Sequence, residues 1–183
     1  NNGIVTKELL IPPGNQSYYY SKVGSIYEKV GVDVFLKIKN DKASNFGLPK
    51  PAGIVRVYKE DGSGFSQFIG EDRIDHTPEN EIIRIKMGKA FDVTADRVQT
   101  EFSIIRGTDK NQRIHESAYT ITIKNAKSEP VEVTVEERIP GDWQILSESH
   151  EHAKKSATTV SWQVPVKAKS STNLSYSVRQ VLN

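Results

Sequence analysis

The sequence contains no cysteine. That single absence removes thiol nucleophiles, thiolate metal sites, iron–sulfur clusters and disulfides together. There is one Met, and no apolar run approaches the roughly 18 residues of a membrane-crossing helix, so no transmembrane segment is expected. No signal peptide is recognisable, and the chain opens Asn1-Asn2-Gly3, as a mature form or an excised fragment would. Charge of one sign is missing too. Lys and Arg number 25 against 23 Asp and Glu, for a formal net charge of +2. The longest basic cluster is Lys154-Lys155. A nucleic-acid binder carries a basic stripe, so no nucleic-acid partner is expected, and the charges read as a mixed solvated surface. Catalytic signatures are also missing. Gly64-Phe65-Ser66-Gln67-Phe68 fails the nucleophile-elbow pattern at its last position. There is no phosphate-binding loop, no G-x-G-x-x-G after a strand and no H-E-x-x-H. Neither a cofactor nor a metal is expected.

Strong helix formers are scarce, with 7 Leu and 9 Ala against 17 Val and 17 Ile. β-branched side chains are stiff at χ1 and fit a pleated surface better than a helix. The composition therefore points to an all-β protein, and alternation places the strands. In Glu28–Lys39 the apolar residues Val30, Val32, Val34, Leu36 and Ile38 share one phase. Val131, Val133, Val135 and Ile139 alternate with Glu132, Thr134, Glu136 and Arg138, although Glu137 breaks the apolar phase. Tyr119-Ile121-Ile123, Val160-Trp162-Val164-Val166 and Leu174-Tyr176-Val178 alternate likewise. Weaker strands are expected over 52–60, 65–72, 81–87 and 97–105. Asp61-Gly62-Ser63-Gly64 predicts a hairpin turn, 125–130 a longer hairpin loop and Pro140-Gly141-Asp142 a turn. One wet face per strand implies antiparallel sheets that close over each other as a β-sandwich. A chain of 183 residues has room for two lobes. The polar stretch 107–113 suggests one over 1–107 and an immunoglobulin-like one over 114–183, packed together, with one continuous sandwich as the alternative. No repeat with a period of 20–50 residues is visible.

Several motifs in order carry a resemblance. Leu48-Pro49-Lys50-Pro51-Ala52-Gly53 leads into Val55-Arg56-Val57-Tyr58. Gly70-Glu71-Asp72-Arg73-Ile74-Asp75-His76-Thr77-Pro78 and Ala90-Phe91-Asp92-Val93-Thr94-Ala95 follow, then Glu116-Ser117-Ala118-Tyr119 and Pro140-Gly141-Asp142-Trp143. From about Tyr27 to its end the sequence resembles the C-terminal domain of the bacterial mucoidy-inhibitor-A-like proteins, a family of undefined function. The resemblance implies a bacterial envelope, periplasmic or secreted protein in which a coiled coil precedes this domain. It implies no reaction and no ligand, and this sequence shows no coiled-coil segment.

Four groups of residues invite a chemical reading. Glu71, Asp72, Arg73, Asp75 and His76 form the densest polar cluster, and a hydrolase would need its carboxylates and imidazole to converge. In an extended segment Asp72 and Ile74 share one face while Arg73 and Asp75 share the other, which favours a surface ion pair. His150-Glu151-His152 spaces two imidazoles at i and i+2, too few for a zinc site without further ligands. Trp143 after a turn reads first as core or lobe-interface packing and second as a platform for a sugar, whereas Trp162 is in phase with Val160 and Val164 and belongs to the core. Tyr18, Tyr19 and Tyr20 could form an exposed aromatic patch, but a packed N-terminal strand or a dimer contact is the favoured reading. The resulting expectation is a non-catalytic interaction or structural module that meets a protein partner or a second copy. A carbohydrate-binding module is the alternative, and a hydrolase built on Asp72, Asp75 and His76 ranks last.

Overall fold

A computed structural model describes residues 5–14, 27–106 and 113–182. They form strands β1 (Val5–Ile11), β2 (Tyr27–Lys39), β3 (Gly53–Glu60), β4 (Ser66–Ile74), β5 (Ile82–Arg106), β6 (Arg113–Asn125), β7 (Val131–Arg138), β8 (Asp142–Glu148), β9 (His152–Lys154), β10 (Thr159–Val166) and β11 (Ser170–Leu182). Nine lie in one sheet, in the order β8-β11-β6-β5-β2-β1-β7-β10-β9, and β3 pairs with β4 in a second, two-stranded sheet. The protein is an all-β sandwich. The large sheet is mixed rather than purely antiparallel, although β5–β6, β6–β11, β11–β8, β7–β10 and β10–β9 all pair antiparallel. No helix long and apolar enough to cross a membrane occurs among the described residues.

The alternation read from the sequence becomes burial. In β6 every odd residue from His115 to Asn125 is buried, and the even ones are half-buried or exposed. Trp162, Val160, Val164 and Val166 of β10 are buried with Leu174, Tyr176 and Val178 of β11. The chain divides into two compact units. One comprises Asn1–Leu9 with Asp33–Lys89, the other Leu10–Val32 with Ala90–Asn183. The division does not follow the expected boundary after residue 107. β5 and β6 pair in register up to Arg106↔Arg113, so the strands on both sides of that stretch belong to the second unit. The chain passes between units inside the long strands β1, β2 and β5, where no polar linker exists for composition to reveal. Residues 107–112 and the tyrosines 18–20 lie outside the described residues.

In the first unit, Ile74 of β4 and Ile83 and Ile85 of β5 form the buried centre, with Leu36, Ile38, Val55, Val57 and Met87 packed around it. β4 approaches β5 so closely that a Cβ on Gly70 would lie 2.8 Å from Met87 Cε. Polar residues of the odd phase of β2 take up ion pairs. Glu8 meets Lys37 at 3.0 Å and Arg84 at 2.9 Å, Lys86 meets Asp33 at 2.8 Å, and the Arg84 guanidinium lies 3.7 Å from the Phe35 ring centre.

Each unit also contains one fully or nearly fully buried asparagine with the same task. Asn40 Nδ2 donates to the carbonyls of Leu48, Thr77 and Pro78 at 2.9, 3.3 and 2.8 Å, and its Oδ1 accepts from the Gly47 amide at 3.2 Å. Asn125 Nδ2 donates to Glu129, Val166 and Lys167 carbonyls at 2.8, 3.4 and 3.1 Å, and its Oδ1 accepts from the Lys127 amide at 3.0 Å. Both stand in the same local sequence, Ile38-Lys39-Asn40-Asp41-Lys42 and Ile123-Lys124-Asn125-Ala126-Lys127. The separation lies well outside the repeat periods sought in the sequence. Replacing either by Asp keeps the shape but removes the amide donors and buries a carboxylate among carbonyl oxygens. Asn40→Asp and Asn125→Asp are each expected to cost about 2–4 kcal/mol in urea unfolding. A loss below about 0.5 kcal/mol in either would show that the shared geometry is not structural support.

Candidate functional site

The 71–76 cluster does not converge. Asp72 lies half-buried on the inner side of β4. Its Oδ1 accepts from the Arg73 amide at 2.8 Å and its Oδ2 from the Lys86 amide of β5 at 2.6 Å. That carboxylate fastens β4 to the backbone of β5. Glu71 and Arg73 point to the outer side with Arg56 and Ile54, their cross-strand partners, and Glu71 pairs with Arg56 at 3.0 Å. Asp75 follows the end of β4. Its carbonyl accepts from the Thr77 hydroxyl at 3.0 Å, and it forms no ion pair with Arg73 among the described residues. His76 Nδ1 accepts from the Ala52 amide at 3.3 Å. Of the three groups assigned to one hydrolytic centre, Asp72 and His76 hold separate pieces of backbone, and no hydrogen bond or ion pair joins the Asp75 carboxylate to either among the described residues.

Trp143 belongs to a denser arrangement in the second unit. Its indole Nε1 donates to the Ala157 carbonyl at 2.8 Å, and the Lys154 ammonium stands 4.8 Å from the ring centre. The His152 ring meets Trp143 edge-on at 6.2 Å and lies 6.4 Å from Trp162. Trp162 stacks on Tyr176 at 4.6 Å, and Tyr176 on Tyr119 at 5.3 Å. The rings run from the surface into the core. Burial pushes the Tyr119 hydroxyl up to about 12, so it remains a neutral partner to Gln99 Nε2 at 3.1 Å.

Glu148 holds the outer end of this stack. Its carboxylate accepts from Trp162 Nε1 at 2.8 Å and meets His152 Nδ1 at 2.9 Å. In the sequence it is silent, because a carboxylate at the end of Trp143-Gln144-Ile145-Leu146-Ser147-Glu148 carries no signal of its indole partner 14 residues on. His152 itself sits on β9, while His150 precedes that strand and contacts the Ser149 hydroxyl at 2.9 Å. The two imidazoles take different partners. A carboxylate–imidazole pair can orient a general base, yet no hydroxyl hydrogen-bonds to His152 among the described residues. What the pair does is tie β8, β9 and β10 together.

A third feature was invisible to alternation. On the outer side of β3–β4, Tyr58 lies opposite Phe68 with ring centres 5.7 Å apart, and Phe65 projects from the adjoining turn. Tyr58, Phe65 and Phe68 are 55%, 73% and 54% exposed. A register shift between Val57 and Tyr58 leaves Ile69 as the extra, exposed residue and turns Phe68 outward, whereas strict alternation from Gly70 would have pointed it inward. The sequence pattern marks these segments only as weak strands, since apolar residues fall on both phases.

Comparison with protein-family models, with curated proteins and with solved structures finds no match.

Glu148 provides a test of the stack. Burial alone would raise its carboxyl, but the hydrogen bonds from Trp162 and His152 and the attraction of the imidazole outweigh it and hold the group below its ordinary value. The resulting stabilisation is present in full above the unfolded value, about 4.3, and disappears as pH falls through the lower folded value. Glu148→Gln is expected to lower the melting temperature at neutral pH and to flatten the acid limb of stability against pH. An unchanged acid limb would remove Glu148 from this role.

Proposed function

We propose that this chain is a non-catalytic β-sandwich interaction module of a bacterial envelope or secreted protein. The observation that carries the reading is the exposed aromatic end of the β3–β4 hairpin. Its inner side supplies Val55 and Val57 to the core, while Tyr58, Phe65 and Phe68 face solvent. Large aromatic side chains gathered on one exposed element are what a protein partner or a second copy of the chain buries. The resemblance to the mucoidy-inhibitor-A-like proteins supports the envelope setting. The hydrolase alternative loses its support because Asp72 and His76 hold separate backbone and no hydrogen bond or ion pair joins the Asp75 carboxylate to either among the described residues. A sugar platform at Trp143 loses its support because a lysine and a backbone carbonyl already occupy that indole.

Wild-type protein should form a defined complex with a component of bacterial envelope extract, or with itself, by cross-linking and by size-exclusion with light scattering. Phe65→Ser combined with Phe68→Ser should weaken it about tenfold or more. Its melting temperature should change little, because both rings are exposed. A lone monomer that captures nothing overturns the reading, and a complex unaffected by the double variant overturns the hairpin's part in it.

A further inference from the structure

The outer face of β8-β11-β6-β5 in the second unit has its own construction. β5 carries a bulge at Thr100, since Gln99 pairs with Tyr119 and Glu101 with Ala118. β8 carries another at Leu146, since Ile145 pairs with Val178 and Ser147 with Ser177. Ala118 and Ser177 are themselves cross-strand partners. Two bulges thus flank one row of two small residues from opposite sides. A bulge bends its strand and re-aims its side chains, and here the row between them becomes the floor of a trough.

Two cavities share that floor. One, of about 270 Å³, is lined by Thr100, Thr120, Ser147, Ser175 and Ser177 and by Glu148, whose carboxylate is taken up by Trp162 and His152. The other, of about 400 Å³, is lined by Glu101, Ser103, Glu116 and Leu146. The larger falls in the usual size range of small-ligand clefts, about 300–1,000 Å³. The hydroxyls bond to each other, Ser147 to Ser177 at 2.7 Å and Thr120 to Ser175 at 3.2 Å. A hydroxyl has one donor and two acceptor positions, so each pair retains capacity for a further polar partner. Glu116 is neutralised by Arg179 at 2.6 Å, whereas Glu101 is exposed and forms no ion pair among the described residues. Leu146, 41% exposed, adds one apolar surface beside the carboxylates.

We propose that this trough binds a saccharide bearing a free amine, a hexosamine unit. The hydroxyl rows match the ring hydroxyls, Leu146 matches the apolar side of the ring, and Glu101 supplies the one uncompensated charge, opposite to an ammonium group. The site uses no residue of the β3–β4 hairpin.

The test is calorimetric titration with a glucosamine tetramer and with its fully N-acetylated counterpart, at slightly acidic pH where the amines are protonated. The glucosamine tetramer should bind, and the acetylated one about tenfold more weakly. Glu101→Gln should lose the same factor, about tenfold. Glu129→Gln, an exposed carboxylate outside the trough, should bind as wild type does. Ala118→Leu should fill the floor and weaken both ligands, with a thermal melt to establish that it folds. Absence of binding overturns the proposal. So does equal affinity for the acetylated tetramer, or a Glu101→Gln variant that binds like wild type.

Discussion

Arg97 and Glu137 meet at 2.6 Å with their side chains 2% and 1% exposed. A charge so far from water is tolerated only when it is paired and hydrogen-bonded. Here the pairing is shared widely. Arg97 also reaches Glu28 on β2 at 3.1 Å and the Pro12 carbonyl just past β1 at 3.1 Å. Glu137 also accepts from the Gly14 amide at 3.2 Å. In the large sheet β2 and β1 separate β5 from β7, so a contact between Arg97 and Glu137 requires the sheet to curl across both. Apolar packing between the two arms is forgiving of small slips. A buried ion pair is not, because a one-residue shift of either strand would turn its charge to the other face and leave its partner unpaired. The stacking of Trp162 on Tyr176, residues of strands that are not sheet neighbours, presupposes that closure.

The two buried asparagines do for strand ends what the ion pair does for strand faces. A chain leaving a sheet exposes carbonyls with no ladder partner, and buried ones need donors. Asn40 and Asn125 each give one side-chain amide to carbonyls from two separate segments of chain. Asn40 joins the carbonyl of Leu48 to those of Thr77 and Pro78. Asn125 joins that of Glu129 to those of Val166 and Lys167. The shared pattern Ile-Lys-Asn-x-Lys puts an inward apolar residue, an outward cation and the inward amide on consecutive strand positions. Glutamine would overshoot by one methylene and Asp would have no hydrogen to donate.

Strand phase was legible wherever one face is core and the other wet. β6, β7, β10 and β11 are in that position, and their inward residues were read directly from the period of two. Glu137 shows where the rule stops. It interrupted an apolar phase because the position is inward and charged, and only its partner, 40 residues earlier, makes that permissible. The compact units were not legible, because the chain changes unit within continuous strands. The chemical clusters were legible only as lists of polar residues. Adjacency in sequence placed Asp72, Asp75 and His76 together, while in the fold Asp72 and His76 hold different backbone. Glu148, which does join several strands, sits alone in its segment.

The outward aromatic residues of β3–β4 are the hardest to account for by folding alone. Tyr58 and Phe68 form a cross-strand pair, and such pairs contribute roughly 0.2–1 kcal/mol to a sheet, so their presence has a modest structural reason. Phe65 has none of that kind. The turn uses only its backbone. Its amide donates to Asp61 Oδ1 at 3.0 Å, and its carbonyl accepts from the Asp61 amide at 2.9 Å. Gly64 takes the positive φ of 84° that the turn requires. Any residue with an amide would complete those bonds, and a polar one would cost less to leave in water. A phenylalanine ring left 73% exposed on this turn therefore contributes nothing to the turn's own hydrogen bonding.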